Sequence, residues 1–189
     1  MIAAHWAASP WWRDLRPDPK AGHPGDRAAL ARLRRCASVA EAMQESATIV
    51  LFRRVAASSP GDLPSVALAA AVLAHVREDM PGTVARRVGP TSPERPETAL
   101  LKPMRFRRLL EADGYDERLT AFRRLAALSD NALPVSDLAA TLLDWSEHRR
   151  RRWIYDYWDA GTPASLAPAP ELARDARSGD DALSKDTVP

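Results

Sequence analysis

The sequence predicts an all-α fold: a compact helical bundle of about six to eight helices, with a disordered C-terminal tail. Three observations lead there. Apolar residues recur at helical spacing almost without interruption up to Trp158, whereas period-two alternation and β-branched runs are scarce. Hydrophobic residues make up 46% and charged residues 28% of 189 residues, a balance that allows a buried core. Beyond residue 160, Pro, Ala, Ser and Asp dominate, and too little apolar surface remains to offset the entropy of ordering the chain. Residues 1–160 therefore read as one helical domain and residues 161–189 as an acidic tail.

The elements follow in order. "WWRDL" (11–15) predicts a short first helix. "GDRAALARLRRCA" (25–37) predicts a second, with Leu30, Leu33 and Ala37 on one side. "SVAEAMQESATIVLFRRV" (38–55) opens with a capping box, Ser38 to Glu41, and reads as one continuous helix. A buried alanine-rich helix is expected from about Pro64 to Glu78, with Pro64 in its first turn and His75 on it. Residues 79–97 hold four prolines and two glycines and read as a long loop. Helices are then predicted over 103–112 and 115–130, the latter with Leu119, Phe122 and Ala126 inward. One or two more follow over 134–160, with Ser136 as a cap and Ser146 as a possible break.

Several function classes find no support. The single cysteine, Cys36, rules out a disulfide framework and suits a reducing compartment. The N-terminal "MIAAHWAASPWW" lacks the basic and apolar regions of a signal peptide. The most apolar run (63–76) is too short for a membrane span, so a cytoplasmic protein is expected. His5, His23, His75 and His148 show no metal-ligand spacing with each other or with Cys36. There is no Walker loop, no GxGxxG and no GxSxG. Acid pairs such as Asp113/Asp116 and Glu78/Asp79 sit at helix ends, where capping explains them. No enzyme and no cofactor is expected.

Basic residues remain. Net charge is only +2, but three of the 27 basic residues are lysine (Lys20, Lys102, Lys185), which leaves 24 arginines. Arginine presents a planar fork that suits phosphate. The segment "FRR" occurs at 52–54, 106–108 and 122–124 and uses all three phenylalanines of the chain. On a helix the Phe and the aliphatic residue three positions on lie roughly 60° apart, and the two arginines fall on the other side. Such a segment is an ordinary amphipathic helix or a device that mounts a cation pair on the core. Further pairs occur at Arg34–Arg35 and Arg86–Arg87, with a run at Arg149–Arg152. Paired arginines on separate helices are the surface that sequence-independent phosphate binding needs. Arg149–Arg152 can instead pair with Glu147 and Asp156 within its own helix, and Trp153 and Tyr157, four apart, are better placed to close the core than to stack on bases.

Taken in order, "WW", "GDRAALARLRR", "RFRRLLEAD", "LPVSDLAATLLDW" and "RRRRWIYDYW" resemble the CasB family, the small subunit of the type I-E CRISPR Cascade complex, from about Trp11 to Trp158. The resemblance implies a non-catalytic, all-helical subunit of an RNA-guided antiviral surveillance complex. It further implies two copies stacked along the complex and a basic face that holds the guide RNA–target DNA hybrid and the displaced strand. Other Cascade subunits, CRISPR RNA, target DNA and a second copy would be the partners. Residues matching the family's basic pattern are Arg34, Arg35, Arg107, Arg108, Arg123 and Arg124, with Arg53 and Arg54 a weaker match. Two alternatives stay open on the residues alone: a free-standing helical DNA-binding regulator, for which "LTAFRRLAALSDNALPVSDLAATLLDW" would supply a helix-turn-helix, and a scaffold that binds only protein.

Overall fold

The computed structural model of the protein describes residues 2, 4–20 and 22–160. Among them run ten α-helices: α1 (Ala8–Leu15), α2 (Arg27–Arg35), α3 (Val39–Met43), α4 (Ser46–Arg54), α5 (Leu63–Leu73), α6 (Val84–Val88), α7 (Pro103–Glu111), α8 (Tyr115–Leu128), α9 (Val135–Leu143) and α10 (Glu147–Tyr157). Two two-residue strands, β1 (Glu78–Asp79) and β2 (Ala132–Leu133), pair in parallel, with Glu78 opposite Ala132 and Asp79 opposite Leu133. The all-α expectation holds. The tail expectation concerns residues 161–189, which lie outside the described residues.

The α5 helix is apolar all round, and such a helix has to be buried on every side. Every residue from Val66 to Leu73 is 0% exposed. The α2, α3, α4, α8 and α9 helices pack around it. Fully burying a Val or Leu side chain contributes about 1.5–3 kcal/mol, so Val66, Leu68, Val72 and Leu73 anchor the bundle.

Aromatic rings close the other end. Phe106 of α7 stacks on Tyr157 of α10 with centroids 3.8 Å apart, and Phe122 of α8 meets Trp153 edge-on at 5.6 Å. Trp145 meets both Phe122 and Trp153 edge-on at 5.4 Å. The Trp153 indole donates to Thr141 Oγ1 (2.9 Å), and the Tyr157 hydroxyl donates to the Leu101 carbonyl (2.6 Å). Trp153 and Tyr157 thus belong to the core, as their spacing predicts.

Three helix N-termini are capped by carboxylates from far along the chain. Asp116 accepts from Val39 N of α3 (2.7 Å), Asp137 from Val84 N of α6 (2.8 Å) and Asp79 from Val135 N of α9 (2.9 Å). A carboxylate there satisfies an orphan N–H and suits the positive end of the helix dipole. Burial pushes the Asp137 carboxyl above its usual range, opposed by that hydrogen bond and by Arg149.

Several boundaries differ from expectation. The helix expected over 38–55 breaks at Gln44–Glu45. There Glu45 turns extended and pairs with Arg32 (2.8 Å), while Thr48 Oγ1 donates to the Ala42 carbonyl (2.7 Å). Ser38 accepts from Glu41 N as a capping box requires, but Glu41 reaches back to Ala37 N. Ala37 lies past the end of α2 and is exposed. Residues 79–97 are not simply a loop: α6 forms there because Val84, Ala85 and Val88 bury one face and Asp137 caps it. Gly89 ends α6 where an added Cβ would lie 2.2 Å from the Tyr157 carbonyl, so only glycine permits this approach to α10. Ser136 does not cap α9, since Asp79 does, whereas Ser146 caps α10 by accepting from Arg149 N (3.3 Å). The α5 helix stops at Leu73, and His75 follows it rather than lying on it. The turn after α8 places Asp130 and Asn131 at φ 52° and 61°, from which the Asn131 carbonyl accepts from Arg77 N.

Phe106 is 3% exposed and Phe52 is only half-buried. Phe106→Ala is therefore expected to cost about 3–5 kcal/mol, and Phe52→Ala less than half of that. Urea denaturation of the two variants beside the parent checks the ranking, and equal losses would contradict it.

Candidate nucleic-acid interface

The C-terminal end of α5 leaves carbonyl groups that need donors, and arginines supply them. Arg34 Nε donates to the Ala74 carbonyl (2.6 Å). Arg16 Nη1 (2.7 Å) and the Trp12 indole (3.2 Å) donate to the Val76 carbonyl. Cations at a helix C-terminus also suit its dipole. Arg27, Leu30 and Arg34 share one stripe of α2 at spacings of three and four. An added Cβ at Gly25, which sits at φ 63°, would lie 2.4 Å from the Arg16 carbonyl carbon, so only glycine permits this approach.

Arg16, Arg27, Arg34 and Arg77, with Pro17 and Leu30, line a recess of about 330 Å³, and no carboxylate lines it. Burial lowers the pKa of Arg16, reinforced by the charges of Arg34 and Arg77, and that of Arg34, reinforced by Arg77. Arg16, Arg34 and Arg77 thus repel one another, and an anion in the recess would relieve that repulsion. The Arg27 and Arg77 side chains form no hydrogen bond or ion pair among the described residues. Arg34 is the sole member of this group that belongs to the sequence-derived set. Arg16, Arg27 and Arg77 carry no pairwise signal. The α2 stripe could have drawn attention to Arg27, but only the fold brings Arg16 and Arg77 beside it.

The remaining sequence-derived arginines are distributed over other surfaces. Arg35 and Arg53 are exposed and unpaired among the described residues, as is Arg107. Arg54 is exposed and pairs with Asp14 of α1 (2.6 Å). Arg108 and Arg124 line a groove between α7 and α8, with Arg105 beside them. Arg123 turns inward: its two Nη atoms donate to the Cys36 (2.8 Å) and Leu33 (3.1 Å) carbonyls at the end of α2, and its Nε is buried without a partner. Within the α10 run, Arg151 pairs with Glu147 and Arg152 with Asp156 one turn away, as their spacing predicts.

Two other titratable groups touch this region. Cys36, buried at the end of α2, has its thiol pKa pushed up, chiefly by burial. His75 is half-buried, and its Nε2 has no hydrogen-bond partner. Burial, followed by the charges of Arg123 and Arg34, pushes its pKa down to about 4.

The described residues thus form a helical protein whose arginines cluster at one recess without a lining carboxylate. Residues 29–158 match the family described as CRISPR-associated protein Cse2, more than half of the 189 residues. The chain belongs to this family, the small subunit of type I-E CRISPR Cascade, and is a Cascade subunit that associates with other Cascade components. No curated protein and no solved structure matched it. Among the described residues, no helix is long and apolar enough to cross a membrane.

Arg123→Ala removes two hydrogen bonds from a guanidinium to helix-end carbonyls and is expected to cost about 1–3 kcal/mol. Arg124→Ala, at an exposed site, should change stability by no more than about 0.5 kcal/mol. Thermal melts of the two variants should therefore separate, and coincident melts would contradict the assignment. His75 adds a pH dependence. The unfolded chain takes up a proton near pH 6.5 that the folded chain refuses until about pH 4. Stability from this group is therefore complete above pH 6.5 and is lost as pH falls towards 4. His75→Asn should lose less stability than the parent between pH 6.5 and 4.5, and parallel losses would refute this.

Proposed function

We propose that the protein is the non-catalytic small subunit of a CRISPR RNA-guided surveillance complex, present as two copies along it. Its basic surfaces steady the guide RNA–target DNA hybrid and the displaced strand. The observation that carries this reading is the recess of Arg16, Arg27, Arg34 and Arg77, four cations without a lining carboxylate. Phosphodiester groups are the ligand such a site fits, and they can be held without reading sequence. The hybrid is about as stable as the duplex it replaces, so a few backbone contacts tip the exchange towards opening. Arg35, Arg53, Arg107, Arg108 and Arg124 add cations without an ion-pair partner on other surfaces. Arg34 keeps its Nη groups for phosphate while its Nε holds Ala74. Arg54 and Arg123 contribute charge from positions already engaged by Asp14 and by the α2 carbonyls.

A free-standing regulator fits less well. The α9 helix, which would read base edges in a helix-turn-helix, buries seven of its nine residues. A scaffold that binds only protein leaves the uncompensated recess without a purpose.

Arg27 and Arg77 form no hydrogen bond or ion pair through their side chains among the described residues, so they test the reading. Arg27→Ala with Arg77→Ala should leave the thermal midpoint nearly unchanged. The same pair should flatten the salt dependence of single-strand and hybrid binding by about one unit per lost phosphate contact, with little change on scrambling the DNA sequence. A wild-type salt slope would return these residues to a solubilising role.

A further inference from the structure

A larger concave surface shares no lining residue with the arginine recess. It is the groove of about 780 Å³ between α7 and α8. Three residues, 112–114, join these helices, so the last turn of α7 meets the first turn of α8. Arg105, Arg108 and Ala112 recur at spacings of three and four and line the α7 side of the groove. Glu117, Ala121, Arg124 and Leu128 do the same on the α8 side. Leu109 and Leu125, both buried, form the floor.

Charge is separated along the groove. The joined end carries two carboxylates, Glu111 and Glu117. Glu117 Oε2 accepts from Asp113 N (3.1 Å), whereas the Glu111 side chain forms no hydrogen bond or ion pair among the described residues. From the middle to the open end run the guanidiniums of Arg105, Arg108 and Arg124, which have no such partner either. Three cations against two carboxylates leave one positive charge in excess. Arg105 lies six residues from Glu111, and Arg124 lies seven from Glu117. About 9–10 Å of helix axis therefore separates the acidic end from the basic end.

An occupant that fits has N–H donors at one end, an anion at the other and an apolar face between them. A nucleotide has its groups in this order. Its base is a flat, largely apolar body, an exocyclic amine donates at the far edge of that base, and the phosphate lies at the opposite end. Arginine meets phosphate through its planar fork.

We propose that the groove between α7 and α8 is a nucleotide site for bases that bear an exocyclic amine. The base lies over Leu109 and Leu125, the amine donates to Glu111, and the phosphate meets Arg105, Arg108 and Arg124. Guanine fits best, because its ring N–H and its amine together donate to both oxygens of one carboxylate. Uracil and thymine have no amine to offer. A free nucleotide and a nucleotide within a single strand present the same groups. The site does not rest on the function proposed above, which needs phosphate alone and is carried by the recess.

The test follows backbone amide signals of the full chain as GMP, UMP or inorganic phosphate is added. GMP should shift signals of α7 and α8 around the groove and bind about fivefold or more tightly than UMP. Glu111→Gln should remove that preference and spare UMP binding. Arg108→Ala with Arg124→Ala should weaken both nucleotides about tenfold. These three sites are exposed, so the variants should melt near the parent. A second arm adds an oligothymidine strand with one guanine, or the same strand with an abasic site in its place. Groove shifts with GMP assign the free nucleotide as ligand, and groove shifts that require the strand's guanine assign the single strand. Equal binding of GMP, UMP and inorganic phosphate would overturn the proposal, as would a GMP preference that survives Glu111→Gln, or an absence of groove shifts in both arms. A strand that shifts only the signals of Arg16, Arg34 and Arg77 would overturn it too and leave the function proposed above standing.

Discussion

A helix that is apolar on every side has to be buried whole, and its ends go in with it. Eight consecutive residues of α5 are fully buried, and the carbonyls just beyond it, at Ala74 and Val76, need donors that the core cannot supply. An unpaired buried carbonyl costs about 1–3 kcal/mol. Arg34, Arg16 and Trp12 meet that need from α1 and α2. Because a guanidinium has five N–H donors, satisfying one carbonyl leaves most of each group facing outward. The requirement that completes the core therefore also concentrates positive charge at its edge. Arg27 and Arg77 add to that charge without sharing the structural duty.

The same economy accounts for the three FRR segments. Their phenylalanines do the packing: Phe106 and Phe122 converge on Trp153, whereas Phe52 sits at the rim. Their arginines diverge according to what stands opposite each one. Arg107, Arg108 and Arg124 form no ion pair among the described residues, Arg54 meets Asp14, and Arg123 closes the end of α2. One sequence pattern thus yields three outcomes, because a pattern specifies the face of a helix and not what the fold brings to that face.

Acidic residues are placed by the same logic. Asp79, Asp116 and Asp137 each cap a helix from another part of the chain, so these three carboxylates are engaged at helix N-termini. Exposed single charges contribute little to stability, but a carboxylate on an orphan N–H orients two helices at once. Asp137 ties α6 to α9, and α6 in turn packs against α10 where Gly89 meets Tyr157. These ties turn the proline-rich segment after β1 into part of the domain.

The fold class was legible because helical periodicity is local: Leu119, Phe122 and Ala126 declare a buried face from spacing alone, and Ser146 declares a break. The resemblance of ordered segments carried the family for a similar reason, since order along a chain is a property of the sequence. The break at Glu45 and the formation of α6 were not legible. Each depends on a partner more than ten residues away: Arg32 for Glu45, and Asp137 for Val84. The arginine recess was legible only in part. Spacing puts Arg27 and Arg34 on one stripe, but Arg16 and Arg77 join them only when α1 and the end of α5 pack together. The sequence by itself determined which residues could be buried or charged. Only the tertiary structure decided which cations were neutralised, which became caps, and which were left facing solvent, because charge compensation acts through space and not along the chain.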